Sequence, residues 1–300
     1  MKLSIDNGML LARFGDFESA RMIKEAGFDC VDMTYYTSSL NAPILNENYR
    51  EYAIKLREHF DALELECNQA HAPFVFGYGD GFTLDDPHYK YVVRSMESAS
   101  ILGAKTIVIH SVGHREGSKV MFDREYNINF YRSLIPYCEK FGIKIAVENL
   151  FEYTENGFVG RLGTPEELSA FVAELDSPWF CACLDTGHAS LTGVKPEDFV
   201  SGMSGDVLQV LHVHDGDYKG DKHTLPYLLD FDWTKIMTAL KQIGYDGELT
   251  FEILNYFRKI PADLIPESLR FAEKTGRHLI SIYDKAYILI ALKLLKGERV

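Results

Sequence analysis

Phe141-Gly142-Ile143-Lys144-Ile145-Ala146-Val147-Glu148 holds a helix end, a strand and an acid within eight consecutive residues. Glycine at 142 suits the left-handed turn that ends a helix. The run Ile143 to Glu148 is short, mostly apolar and bounded, as a buried parallel strand is. Glu148 closes it behind Ala146 and Val147, and a carboxylate in such core surroundings needs a partner.

The same junction recurs as Ala26-Gly27-Phe28-Asp29, Leu102-Gly103-Ala104-Lys105 and Ile243-Gly244-Tyr245-Asp246. Runs with strand chemistry cover Leu3 to Asp6, Phe28 to Met33, Leu63 to Asn68, Thr106 to His110, Ile143 to Glu148, Phe180 to Asp185, Val207 to His214 and Glu248 to Leu254, eight in all. Between them lie segments of helical spacing such as Tyr89 to Leu102 and Trp233 to Ile243. Thr164-Pro165-Glu166-Glu167 carries a helix start: threonine as N-cap, proline in the first position and glutamate three residues on. Strands alternating with helices predict parallel β-α units. A Gly-rich phosphate turn is missing after the first strand, where Asp6-Asn7-Gly8-Met9 stands, so a closed barrel is preferred to a doubly wound sheet. The expected fold is a single-domain (β/α)8 TIM barrel over residues 1–300, close to the roughly 250 residues such a barrel needs.

Apolar residues make up 46% and charged residues 25% of the chain, enough for a large core. Thirty-one Lys and Arg against 44 Asp and Glu give a net charge of -13, which repels polyanions and argues against nucleic acid or an anionic membrane as partner. The five Cys, at 30, 67, 138, 181 and 183, lack C-x-x-C spacing and suggest neither disulfides nor a thiolate zinc site, consistent with a cytoplasmic protein. The first residues lack a signal-peptide core, and the apolar run Ala286 to Leu295 is too short to span a bilayer. No nucleophile elbow or P-loop occurs.

Barrel enzymes draw their catalytic side chains from the C-terminal ends of the strands. Here strand four ends at His110, strand five at Glu148, strand six at Asp185, strand seven at His212 and His214, and strand eight contains Glu252, while His71 lies just past strand three. Each has a plainer explanation: an acid closing a strand often caps the next helix, and a strand histidine is often satisfied by hydrogen bonds. Four consecutive strands ending on metal-compatible groups are harder to explain by stability. Three carboxylates with one imidazole suit Mn²⁺ foremost, Mg²⁺ or Co²⁺, and Zn²⁺ as a second choice.

Val147-Glu148-Asn149, Cys183-Leu184-Asp185-Thr186-Gly187-His188, Leu211-His212-Val213-His214-Asp215 and Phe251-Glu252, in this order, resemble the xylose-isomerase-like barrel superfamily of sugar and sugar-phosphate isomerases and epimerases, which also contains endonuclease IV. The resemblance runs over nearly the whole chain, and L-D-T-x-H is its most specific segment. It implies that Glu148, Asp185, His212 and Glu252 bind one divalent metal ion and that His188 touches substrate. His212 and His214 share strand parity, and both satisfy the family's H-x-x-D pattern through Asp215 and Asp217. His212 is preferred for its spacing from Asp185, with His214 behind it on the substrate side. The family's usual Gly-Glu-Gly after strand seven is replaced by Leu225-Pro226-Tyr227-Leu228-Leu229.

The implied function is a metal-dependent isomerase of carbohydrate metabolism that moves a proton at the carbon beside a carbonyl through an enediolate. Glu148 and Glu252 are the catalytic acid-base pair. Two faces give a ketose 3-epimerase; one face gives an aldose-ketose isomerase. His71, His110 and His223 can bond sugar hydroxyls, Phe74, Phe76 and Tyr78 can stack on C–H faces, and Arg115, Lys119 or Arg161 can hold a phosphate. The expected partner is a sugar or sugar phosphate, and a homo-oligomer is compatible. The alternatives are an endonuclease IV-like zinc phosphodiesterase, whose three zinc ions have ligand counterparts at His71, His110, His188 and Asp221-Lys222-His223, and a barrel that binds sugar without turning it over. The charge of -13 favours one metal and no cleavage of abasic-site DNA.

Overall fold

A computed structural model describes residues 1–39, 41–74, 82–116, 119–155 and 157–295, and of 114–116, 119–121 and 288–295 the backbone alone. Eight parallel strands carry the barrel: β1 Leu3–Asp6, β2 Cys30–Thr34, β3 Glu66–His71, β4 Thr106–Val108, β5 Lys144–Glu148, β6 Phe180–Asp185, β7 Leu208–His212 and β8 Leu249–Phe251. Each strand pairs with its neighbours in sequence, and β8 returns to β1. Val213 bridging Phe251 joins β7 to β8 and closes the ring. β1 and β6 match their expected bounds. β2 and β3 start two to three residues later, because the chain first completes the left-handed turns at Gly27 and Glu64. β4 stops at Val108 and β7 at His212, which leaves His110 and His214 beyond the ladders.

The four junction glycines all adopt positive φ, from 66° at Gly142 to 104° at Gly27, where a side chain would be strained. Thr164 caps its helix by accepting from the Glu167 amide at 3.2 Å, while the Glu167 carboxylate reaches back to the Gly163 amide at 3.0 Å. The expected helices appear as Pro87–Leu102 and Trp233–Gln242.

The barrel interior divides into two sectors. Val108, Ala146, Cys181, Cys183 and Val210 form an apolar group. Opposite them Ser4, Asp32, Gln69 and Thr250 are buried and polar. The main apolar core lies between strands and helices. Two antiparallel hairpins, Gly113–Glu116 with Lys119–Phe122 and Leu150–Thr154 with Gly157–Arg161, rise after β4 and β5. Neither was expected, although the Asn156-Gly157 dipeptide is a turn signal. The last helix runs from Ile265 to Leu295, and among the described residues no helix is long and apolar enough to cross a membrane.

Candidate metal centre

Glu148, Asp185 and His212 close their strands and Glu252 follows β8, so all four project over the C-terminal mouth of the barrel. One ligand-type atom from each lies within 4.8 Å of the others. His212 Nδ1 sits 3.1 Å from Glu148 Oε1 and 3.5 Å from Glu252 Oε2. All four residues are buried. The backbone around them is clasped by side chains. Asn149 accepts from the Asp185 amide at 2.7 Å and donates to its carbonyl at 3.0 Å. Thr186 Oγ1 accepts from the His214 amide at 3.0 Å and donates to the His214 carbonyl at 2.8 Å.

Two further groups flank this set. His71, His110 and Glu148 gather on one side: His110 Nε2 is 2.7 Å from Glu148 Oε2 and 3.1 Å from His71 Nε2. His188, Asp221 and His223 gather on the other, with His223 Nε2 at 2.9 Å and His188 Nε2 at 3.8 Å from Asp221 Oδ2. Asp221 and His223 ride on the long loop after β7, which Asp215 stitches together. The Asp215 carboxylate accepts from the amides of Gly216, Leu229 and Phe231 and from Trp233 Nε1, at 2.9 to 3.3 Å. His223 itself is held at φ 40°, a strained conformation for a residue with a side chain.

Burial pushes the Glu148 carboxyl up, but the imidazoles of His212 and His110 outweigh it and hold it well below the usual range. Burial alone would depress His188; Asp185 and Asp221 raise it to about 10. Against the same effect of burial, His223 is raised by Glu252, Asp221 and Asp185, and His212 by Cys183 first and then by Glu252 and Glu148. His110 goes the other way, pushed down to about 4 by burial. Beneath Glu252, Asp6 is raised to about 7 by burial and by Asp32 and Glu252.

The donors fit a divalent ion. Glu148 Oε2 and Asp185 Oδ2 are buried without a hydrogen-bond partner among the described residues, an expense that folding leaves uncovered unless a cation completes the site. His110 Nε2 approaches Glu148 Oε2 closely but out of line for a hydrogen bond. Ligands of one ion at about 2.1 Å lie roughly 4 Å apart or less, so the four atoms need only small shifts to close on it.

The site opens into a cavity of about 600 Å³, within the range of small-molecule pockets. His71, His110, Glu148, His188, His223, Glu252 and Arg161 all line it. Arg161 is already paired with Glu152 across the second hairpin. Phe74 lines the wall stacked on Tyr36, ring centres 4.7 Å apart. His214, placed on the substrate side by the sequence, is not among the lining residues: fully buried, it lies 3.1 Å from Asp185 Oδ1 and stacks on His223, so it bears on a ligand-type carboxylate. Of the five residues that replace Gly-Glu-Gly, none lines the cavity; Leu225 is buried and Tyr227 to Leu229 are exposed. Phe76 and Tyr78 lie outside the described residues, as do the side chains of Arg115 and Lys119.

Sequence reasoning missed Tyr36, Asp6 and Asp32. Tyr36 OH lies 3.2 Å from both Glu252 Oε1 and Asp6 Oδ2. Each sits in or just after a strand with nothing in its flanking residues to single it out, although Asp6 and Asp32 are acids in apolar runs like that of Glu148.

Residues 20–275 match the family model of the xylose isomerase-like TIM barrel. An uncharacterized protein of Methanocaldococcus jannaschii, MJ1311, is 28% identical over 250 residues, 79% of this chain and 78% of its own length. The crystal structure of a D-tagatose 3-epimerase-like protein superposes with a TM-score of 0.72 at 23% identity, covering 95% of this chain and 99% of the other. The IolI protein with a bound zinc atom also gives 0.72, at 18% identity, covering 94% and 99%. At these identities the structural likeness is one of fold.

Proposed function

The chain belongs to the xylose isomerase-like TIM barrel family, and on that premise we propose that it is a metal-dependent sugar isomerase or epimerase, in its most specific form a ketose 3-epimerase. The observation that carries this reading is that Glu148, closing β5, and Glu252, following β8, line one cavity, each within 3.5 Å of His212 Nδ1. Glu148, Asp185, His212 and Glu252 would hold the ion, Mn²⁺ by preference for an oxygen-rich set, and it would supply Lewis-acid polarisation of a carbonyl. One glutamate takes the proton from the carbon beside that carbonyl and the other returns one from the opposite face, which inverts the centre. A positioned base contributes roughly 10²- to 10⁴-fold. Tyr36 bears on Glu252 through its hydroxyl and Phe74 presents an apolar wall, while His71, His110, His188 and His223 offer ring nitrogens to hydroxyl groups. Among fold neighbours, a D-tagatose 3-epimerase-like protein and a zinc-bound IolI protein support the sugar and metal parts of the reading.

The test is a panel of ketoses, aldoses and their phosphates in D₂O with Mn²⁺. Solvent deuterium entering at carbon is the expected result; failure to exchange across the panel would sink the proposal.

A second reading has its own observation. The groups His71-His110-Glu148 and His188-Asp221-His223 each gather three ligand-type atoms beside the central set, which suits a three-zinc phosphodiesterase like endonuclease IV. The net charge of -13 weighs against a polyanionic substrate, so one ion per chain and no cleavage of abasic-site DNA are expected. Near three zinc per chain, with strand cleavage lost in His71→Ala or His223→Ala, would make this the better reading.

A further inference from the structure

His212 presents its two ring nitrogens to different acids. Nδ1 faces Glu148 and Glu252, while Nε2, buried without a hydrogen-bond partner among the described residues, lies 3.3 Å from Asp32 Oδ2. A neutral imidazole carries one proton, and the nitrogen that bears it cannot be a ligand. Whichever group takes that proton therefore decides which nitrogen is offered to the mouth of the barrel.

Asp32 is placed for this task. It stands on β2, reaches into the barrel interior and has no solvent exposure. A register shift between β2 and β3 at Val31 and Asp32 sets it opposite Gln69. The Gln69 amide is oriented from behind: its Oε1 accepts from Thr250 Oγ1 at 3.0 Å and from Asn68 Nδ2 at 3.3 Å. Its Nε2 is thereby left to donate to Asp32 Oδ2 at 2.9 Å. Asp32 Oδ1 has no hydrogen-bond partner among the described residues, and no Lys or Arg pairs with the carboxylate there. A buried carboxylate needs a facing donor, and the ring edge turned toward it is that of His212.

We propose that Asp32 is a positioning residue, whose carboxylate holds the proton on His212 Nε2 and thereby turns the Nδ1 lone pair toward Glu148, Asp185 and Glu252. It touches neither substrate nor ion. The inference rests on the reading of the four-residue set as a metal site, and it accounts for a buried acid that the proton transfers do not use. Carboxylate partners of this kind fix the tautomer of ligating histidines and typically change metal affinity 10- to 100-fold.

Zn²⁺ alone serves as the probe, being diamagnetic. Titration calorimetry of Asp32→Asn, which keeps the side-chain volume, should show Zn²⁺ binding weakened roughly 10- to 100-fold. Asp16→Asn, at a buried acid whose described partner is Tyr52, should leave the affinity unchanged even if it lowers the melting temperature. The ¹⁵N spectrum of the Zn²⁺-loaded wild-type chain, with the ring assigned by its loss in His212→Asn, should show a protonated Nε2. An unprotonated Nε2, or Asp32→Asn binding Zn²⁺ like wild type, overturns the proposal. If Asp32→Asn fails to fold, the wild-type spectrum decides. If wild type takes up no Zn²⁺, the metal reading fails and the proposal with it, whereas equal Zn²⁺ binding by wild type and Asp32→Asn overturns the proposal alone.

Discussion

Glu148 belongs both to the central set and to the group with His71 and His110, since one carboxylate oxygen faces His212 and the other His110. Glu148→Gln replaces an acceptor by an amide whose N–H groups point at imidazoles or at the ion. Metal affinity by calorimetry should fall at least about 100-fold, and deuterium exchange into sugar should drop to background, a loss on the scale expected for a ligand that also serves as base. Asp6 makes a prediction about pH. Its carboxyl is raised to about 7 in the folded chain, against about 4 when unfolded. Between those values the folded chain holds the extra proton, so this residue's contribution to stability declines as pH rises from about 4 to about 7. Asp6→Asn should therefore melt higher than wild type at pH 8 and gain nothing at pH 4, in metal-free protein by calorimetry; an equal shift at both would refute it. Site legibility follows from the same residues. Glu148, Asp185 and His212 stood out because each closes a strand whose end points at the barrel mouth, and Glu252 because it directly follows one. Asp32 lies mid-strand between Val31 and Met33, and its importance arises from a histidine three strands away around the ring.

Among elements, β5 and β6 are joined beyond their ladder by Asn149, whose side chain makes two bonds to the Asp185 backbone. Asn149→Ala would bury that amide and carbonyl without partners, at about 1–3 kcal/mol each. Urea denaturation should show a loss of about 2–5 kcal/mol, with Asp185 displaced; a loss under about 1 kcal/mol would mean water replaces the clasp. Gly187 shows how tightly the next turn is packed, since a Cβ there would run into the His214 ring. The strands and their glycine junctions were legible because a helix that stops in the left-handed region leaves few choices of residue. The hairpin at Leu150–Arg161 was not, because its alternation of apolar and polar residues, Phe151, Glu152, Tyr153 and Thr154, spans only four positions directly behind β5. The loop after β7 was the least legible, for its path depends on one buried acid, Asp215, collecting donors up to eighteen residues ahead.

At the scale of the whole molecule the barrel unites two requirements that pull apart. A closed ring of strands favours an apolar interior, yet half of this one is lined by Ser4, Asp32, Gln69 and Thr250, and its mouth crowds Glu148, Asp185 and Glu252 together. Like charges so close oppose folding unless protons or a cation intervene. Closure itself is slight: between β7 and β8 it rests on the Val213 amide bonded to the Thr250 carbonyl at 2.8 Å and the Glu252 amide bonded to the Val213 carbonyl at 3.1 Å. That seam lies between His212 and Glu252. An ion gripped by both would rivet the hoop where it is thinnest, so its departure should register as unzipping before any loss of compactness. Hydrogen-deuterium exchange at the Val213 and Glu252 amides should be at least about 10-fold faster in chelator than with saturating Mn²⁺, since bound ligand stabilises only the closed form. Equal rates would leave the seam independent of the ion. The two amides would thus serve as an isotopic clock for how long the ion stays in place.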